Sequence, residues 1–367
     1  MKKILSLLLI ACALISLVSC GGSGYEPVES SELEKATVMT VTVDGEKYAI
    51  RYELYRALFL SCKAEVDGGD ASVWSGDKKD EYIAKAEEII LDKAAEIYSV
   101  LHLAKKAGID IYSDEYDEII SETIKETVDA EGVGGFGGDY QKYLDYLKEM
   151  NLNYSVQDLL FRYHLATDAL YDHYAGTLDG EFVSESAMGA LKYTREDVEA
   201  FYYDDGESVR VQRIYIPKDY TTPERIREIR TGLVDAAAGG DGAAERYILD
   251  KRGASSSIAD VKNGILHGRH SEDSLYYEEM TEAAFSLGVG EVSEIIEVST
   301  TSEEAYVIMY RIAKNNQHFA DCYDSIAEVY VYNEIGKLID GCSSALIESA
   351  VRAPMLSTLD RGGITMD

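Results

Sequence analysis

The side chains able to do chemistry are few and poorly clustered. Six histidines occur in 367 residues. His267 and His270 form an H-x-x-H pair, but no carboxylate pattern accompanies it, so a solvated loop accounts for the pair and no metal is expected. His102, His164, His173 and His318 are scattered. The run Gly132-Val133-Gly134-Gly135-Phe136-Gly137-Gly138 follows a helical pattern and has no Lys-Ser/Thr after it, so it reads as a spacer and not as a phosphate cradle. No G-x-S-x-G turn offers a nucleophile elbow. Cys62, Cys322 and Cys342 are an odd set without a C-x-x-C pair; a bridge between Cys322 and Cys342 stays open beside the reading of free thiols. No cofactor is expected from these residues.

Cys20 is the exception. Lys2 and Lys3 precede an apolar run over residues 4–18 that is too short to span a bilayer comfortably, which is the pattern of a signal peptide. The run ends in Leu17-Val18-Ser19-Cys20, which resembles the lipobox of bacterial lipoproteins. That resemblance implies a signal peptide over residues 1–19, cleavage before Cys20, and attachment to a membrane through lipid on its thiol. Gly21-Gly22-Ser23-Gly24 then supplies flexibility to a tether over residues 20–35. The location expected is extracytoplasmic: the outer face of a single membrane, or facing the periplasm of a two-membrane cell. Gly21 in place of aspartate favours the outer membrane by the sorting habit of such lipoproteins.

The formal net charge of −32 would repel phosphates, and nucleic acid is excluded as a partner. Tyrosine is abundant, with 28 residues against 7 phenylalanines. Its ring offers apolar area with a hydrated tip.

The elements that must position these groups are mostly helical before residue 206. Residues 36–48 alternate like a strand pair about the turn Asp44-Gly45. A helix is predicted over 52–63, and a longer one over 81–106 with Ile83, Ile90, Ala94, Ile97, Leu101 and Ala104 on one stripe. Ser113 opens the next, and 140–150 forms another. Ser155 with Asp158, and Thr194 with Asp197, read as capping boxes that start helices at 156–174 and 195–203. Past residue 209 the character changes: a strand at 209–216, a helix opened by Thr222-Pro223, another at 243–251, and a loop at 253–271. A short helix at 278–286, strands at 292–298 and 305–312, and a helical stretch over 319–351 complete the chain.

Three stretches carry a family resemblance. VTVDGEKYAIRYEL at 41–54, YTREDVEAFYYDDGESVRVQRIYI at 193–216, and MTEAAFSLGVGEVSEIIEV followed by AYVIMYRI at 280–312 resemble exported foldases and chaperones of the PrsA and SurA type. Gly290, Glu291 and Ser293 are the most specific part. The resemblance implies an α+β fold: a SurA-like helical clamp formed by the N- and C-terminal segments, with an inserted parvulin-like domain that is a small antiparallel sheet surrounded by helices. The domains implied are 36–206, 207–313 for the parvulin-like part, and 314–367 packing back on the first.

Catalytic parvulins carry two histidines on neighbouring strands, a cysteine or aspartate nearby, and a pocket of leucine, methionine and phenylalanine. Carried onto this chain, the histidine positions fall on Arg213 and Tyr306 and the third position near Ser257. The pocket falls on Leu266, Tyr276 and Met280, with Phe285 at the family's core phenylalanine. Alternation places Arg213 with Val211 and Tyr215, and Tyr306 with Ile308 and Tyr310, and the two are expected to touch across adjacent strands. The pattern is depleted, which implies prolyl isomerase activity that is weak or absent. The function implied is a membrane-anchored folding factor for unfolded or nascent exported polypeptides, with a homodimer left open. An active isomerase with an altered site, and a non-catalytic structural or binding lipoprotein, are the alternatives.

Overall fold

The computed structural model describes residues 25–68, 70–74, 77–132, 134–178, 181–182, 189–251, 258–270, 278–299, 304–349 and 351–352. Cys20, Ser257 and Tyr276 lie outside the described residues, as do the signal and the first part of the tether. The fold is α+β with small antiparallel sheets. Contacts divide the chain at residues 170/171 and 338/339 into two units. The expected boundaries at 206 and 313 do not coincide with those points, because Val198, Tyr202, Phe319, Ile326 and Ala327 share one apolar cluster.

In the first unit, β1 (Thr37–Val43) and β2 (Glu46–Arg51) form the predicted hairpin. Asp44 at φ 47° and Gly45 at φ 82° make the two left-handed turn residues that match the twist of paired strands. Helices α1 (Tyr52–Asp67), α2 (Lys79–Lys106), α3 (Asp114–Asp129), α4 (Tyr140–Glu149) and α5 (Tyr154–Ala175) follow. The predicted stripe of α2 is buried along its whole length, from Ile83 to Ala104. The cap of α5 differs from expectation. Asn153 accepts from the Val156 amide at 2.9 Å, while Ser155 donates to Glu53 at 2.9 Å. A serine two residues away was outbid because the buried Glu53 carboxylate needs donors.

The second unit opens with β3 (Thr177–Leu178) and β4 (Glu181–Phe182), then α6 (Arg195–Tyr203). At α6 the predicted box is complete: the Thr194 hydroxyl accepts from the Asp197 amide at 3.2 Å and Asp197 accepts from the Thr194 amide at 2.8 Å. Thr194→Ala is expected to cost about 1 kcal/mol, read from the urea midpoint at unchanged slope. The unit continues through β5 (Ser208–Pro217), α7 (Pro223–Ala237), α8 (Asp241–Lys251), α9 (Ile258–Asn263), β6 (Ile265–Gly268), α10 (Glu278–Ser286), β7 (Ile296–Ser299) and β8 (Glu304–Arg311). The predicted loop at 253–271 therefore contains a helix and a strand. Next come α11 (Asn316–Asp321) and α12 (Tyr323–Ser349). Past residue 338 the chain is again part of the first unit, where the short β9 (Val351–Arg352) pairs with β1. Cys322 and Cys342 are not disulfide-bonded, so the bridge left open is not formed.

The strands of the second unit form one antiparallel sheet in the order β6-β5-β8-β7. Its two central strands are buried on both faces, which explains their nearly continuous apolar sequence. One face, with Ile214, Tyr306, Ile308, Tyr310 and Ile312, packs on Ile226, Ile229 and Leu233 of α7 and Ala244 and Ile248 of α8. The other face, with Val209, Val211, Tyr215, Ala305, Val307 and Met309, packs on Met280 and Ala284 of α10.

Candidate functional site

The Gly290-Glu291-x-Ser293 turn fixes the second face by extending the ladder of β8. Gly290, at φ 88°, donates its amide to the Arg311 carbonyl at 2.8 Å, and Ser293 donates its amide to the Met309 carbonyl at 2.9 Å. The Ser293 hydroxyl also accepts from the Met309 amide at 2.9 Å. Glycine at 290 is required by the left-handed backbone, and serine at 293 by the extra acceptor. The motif is thus a stitch that holds α10 over the sheet.

Register decides which candidate residues meet. Arg213 lies opposite Met309, and Tyr306 lies opposite Ile216. Directly opposed residues share a face, so Arg213 and Tyr306 lie on opposite faces of the sheet and do not touch. The faces predicted within each strand are correct; the relation between the strands was displaced by one residue. Tyr306 is buried with the cluster under α7 and α8, and the Lys218 ammonium lies 5.3 Å from its ring centroid. The residues of β8 on the side of Arg213 are Ala305, Val307 and Met309, all apolar. The second polar group expected from β8 is therefore missing from that face.

Leu266 is also displaced from its expected place. It pairs with Arg210 and packs against the cluster of Val198, Tyr202 and Phe319, away from Arg213. Met280 is fully buried on the face of Arg213, with Sδ 4.0 Å from Nη1. Phe285 is partly buried on the same cluster, and the Arg269 guanidinium stacks 4.1 Å from its ring centroid.

The polar partner of Arg213 on this face is His267, in the strand that was read as a loop. His267 pairs with Val209, so its ring shares the face of Val211 and Arg213. Its Nε2 is sealed from solvent and, among the described residues, has no hydrogen-bond partner. Burial pushes its pKa down to about 4, and the nearby Arg213 charge adds to the shift, so the imidazole is neutral at physiological pH. Arg213 Nε is likewise sealed and unpartnered. The signal that locates His267 is Asn263-Gly264: Gly264, at φ 72°, ends α9 and turns the chain into Ile265 and Leu266.

Chemically, this is an apolar face carrying a guanidinium and a neutral imidazole, both with unused hydrogen-bonding capacity. Such groups can hold an oxygen acceptor beside an apolar side chain. A prolyl amide is such a ligand: its rotation faces a barrier of about 18–20 kcal/mol, and donors that follow the carbonyl through the twisted state would lower it. Among the described residues no cluster of metal-ligating side chains occurs, and no helix is long and apolar enough to cross a membrane.

The molecule is thus an α+β protein whose second unit presents one polar-tipped apolar face of a helix-covered antiparallel sheet. The sequence matches no family model and no curated protein. Among solved structures it is similar to the foldase protein PrsA of Streptococcus pneumoniae, at 13% identity over 82% of this chain and 90% of that chain, with a TM-score of 0.26. It is similar also to PrsA of Bacillus subtilis, at 14% identity over 74% of this chain and 87% of that one, TM-score 0.23. A third is the foldase protein PrsA of Lactococcus lactis, at 14% identity over 90% of this chain and 100% of that one, TM-score 0.23. Likeness at these scores transfers no residue roles.

Proposed function

We propose that this chain is a lipid-anchored extracytoplasmic folding factor, with a parvulin-like sheet in its second unit that receives segments of unfolded exported polypeptides. The observation that carries this reading is the face under α10, where the part-buried Arg213 and His267 interrupt an otherwise apolar core of Met280, Val307 and Met309 and, among the described residues, leave Arg213 Nε and His267 Nε2 without hydrogen-bond partners. Polar atoms left without partners inside an apolar core call for a functional explanation. The lipobox-like Leu17-Val18-Ser19-Cys20 and the tether supply the anchor, and lipid would keep the sheet near chains leaving the export channel.

The site favours binding over catalysis. On the face that holds Arg213, β8 contributes only apolar residues, so the paired polar groups of a parvulin are reduced to one on β5 and one on β6. A second reading, an active isomerase with an altered site, is favoured by His267 alone, since a neutral imidazole can donate or accept as the amide twists.

Purified protein is expected to suppress aggregation of a chemically unfolded client at stoichiometric amounts. Its rate in a protease-coupled proline-peptide assay is expected to lie within about tenfold of background, because a missing polar contributor removes a factor on the order of 10²–10⁴. Unchanged client aggregation would refute the folding-factor reading, and a rate a thousandfold above background that His267→Phe abolishes would establish the second reading.

A further inference from the structure

Part-buried Arg213 differs from Arg162, Arg210 and Arg311, the buried arginines among the described residues. Arg162 binds Asp158, Asp117 and the Ile111 carbonyl. Arg210 donates to the carbonyls of Asn263 and Ala313, and Arg311 to the Leu287 carbonyl and Asp205. A guanidinium withdrawn from water needs such acceptors, because desolvation without compensation is costly. Arg213 has none: among the described residues its contacts are the Met280 thioether at 4.0 Å and the Tyr215 ring, whose centroid lies 5.8 Å from Cζ.

The surroundings share its sign. Residues 267 and 269 alternate onto the same side of β6, and the Arg269 guanidinium covers Phe285 at 4.1 Å. Arg269 is held there by its Nε, which donates to the Gly206 carbonyl at 2.6 Å. His267, neutral, sits on the same face and adds no negative charge. An apolar floor is thus flanked by two fixed cations in a chain whose net charge is −32. That local reversal of sign selects the ligand. A carboxylate offers two oxygens in the geometry of the guanidinium fork and forms a bond roughly twice as strong as that of a neutral carbonyl.

We infer that the face of Arg213 recognises client segments in which an aspartate or glutamate adjoins an apolar ring, the carboxylate pairing with Arg213 while the ring rests on the partly buried Phe285. The inference rests on the folding-factor reading and narrows it to a substrate class. It also accounts for the absence, among the described residues, of a carboxylate partner that would compete for the same fork.

The test is fluorescence anisotropy of the full chain with labelled hexapeptides Ala-Ala-X-Pro-Phe-Ala, X being Glu, Gln or Lys. The Glu peptide is expected to bind at least about tenfold more tightly than the Gln peptide, the scale of one hydrogen-bonded charge, and the Lys peptide more weakly than either. Arg213→Leu is expected to erase the Glu–Gln difference, and Arg213→Lys to keep part of it by charge without the fork. The exposed Arg269→Ala, which leaves the core untouched, is expected to reduce the difference about twofold to threefold. Equal affinities for the Glu and Gln peptides, or a preference that survives Arg213→Leu in a folded variant, would overturn the inference. If no peptide binds while the chain still protects unfolded clients, the carboxylate site is refuted and the folding-factor reading stands; loss of both refutes both.

Discussion

Gly336→Ala is expected to destabilise the second unit by about 3 kcal/mol or more, although alanine is the better helix former by up to about 1 kcal/mol. A Cβ at Gly336 would lie 1.8 Å from the carbonyl oxygen of His270 and 2.8 Å from its carbon. Neither side can yield easily. The His270 amide donates to Asn333 Oδ1 at 2.7 Å, and Asn333 is fully buried one helical turn before Gly336. Asn333 in turn donates to Glu207 at 3.0 Å, and Lys337 pairs with the same carboxylate at 2.7 Å. The backbone leaving β6 is therefore pinned against α12 at the point where the missing side chain makes room. Gly341 lies on the same helix with nothing within 4 Å of its would-be Cβ. Gly341→Ala is expected to stabilise, by up to about 1 kcal/mol. Thermal unfolding of the two variants should thus shift in opposite directions. A rise in Tm for both would show that the contact of His270 with α12 is loose.

What was legible in the sequence was local chemistry. Asp44-Gly45 requires a particular turn, Thr194 with Asp197 closes a box across one helical turn, and Thr222-Pro223 opens a helix; each depends on residues a few positions apart. Relations across the sheet were less legible, for a definite reason. Alternation assigns faces within a strand, but which faces of two strands coincide depends on register, and a slip of one residue inverts every pair. Arg213 and Tyr306 were each placed with the right neighbours, yet the pairing of Arg213 with Met309 sets them on opposite sides. The strand β6 was hidden for another reason. At four residues it is too short to show a period, and its ordering comes from pairing with β5.

That hidden strand carries the chemistry. Reading His267 as part of a solvated loop left Arg213 with Tyr306 as its only polar companion. The pairing of His267 with Val209 replaces Tyr306 with an imidazole and removes Leu266 from the pocket. The site consequently changes from a weakened copy of a two-histidine centre into a cationic edge on an apolar floor. On the proposed reading, loss of isomerase activity and recognition of carboxylates would have one origin, a guanidinium where a catalytic parvulin carries a histidine.

The same burial makes the protein acid-labile in a defined window. His164 in the first unit, and His267 and His318 in the second, are held down to about 4 chiefly by burial, against an unfolded value of about 6.5. The folded state keeps each ring neutral while the unfolded chain takes up protons as the pH falls below about 6.5. Stability contributed by these groups is therefore fully present above that pH and is lost progressively toward 4. Each shift corresponds to a loss on the order of 3 kcal/mol at the acid end, an upper figure because partial opening would admit water. Carboxylates held low by donors, such as Asp197 under Thr194, act with the same sign but only near and below pH 4. Relief of the repulsion within a chain of net charge −32 has the opposite sign, and it too awaits carboxylate protonation. Between pH 6.5 and 4.5 the histidines dominate. Urea unfolding across that range should show an uptake of about two protons for the second unit and one for the first. His164→Leu, which also removes a sealed and unpartnered Nε2, is expected to flatten the profile of the first unit while leaving the second unchanged. A first unit whose stability still falls steeply from pH 6.5 to 4.5 in that variant would show that some other group binds the proton.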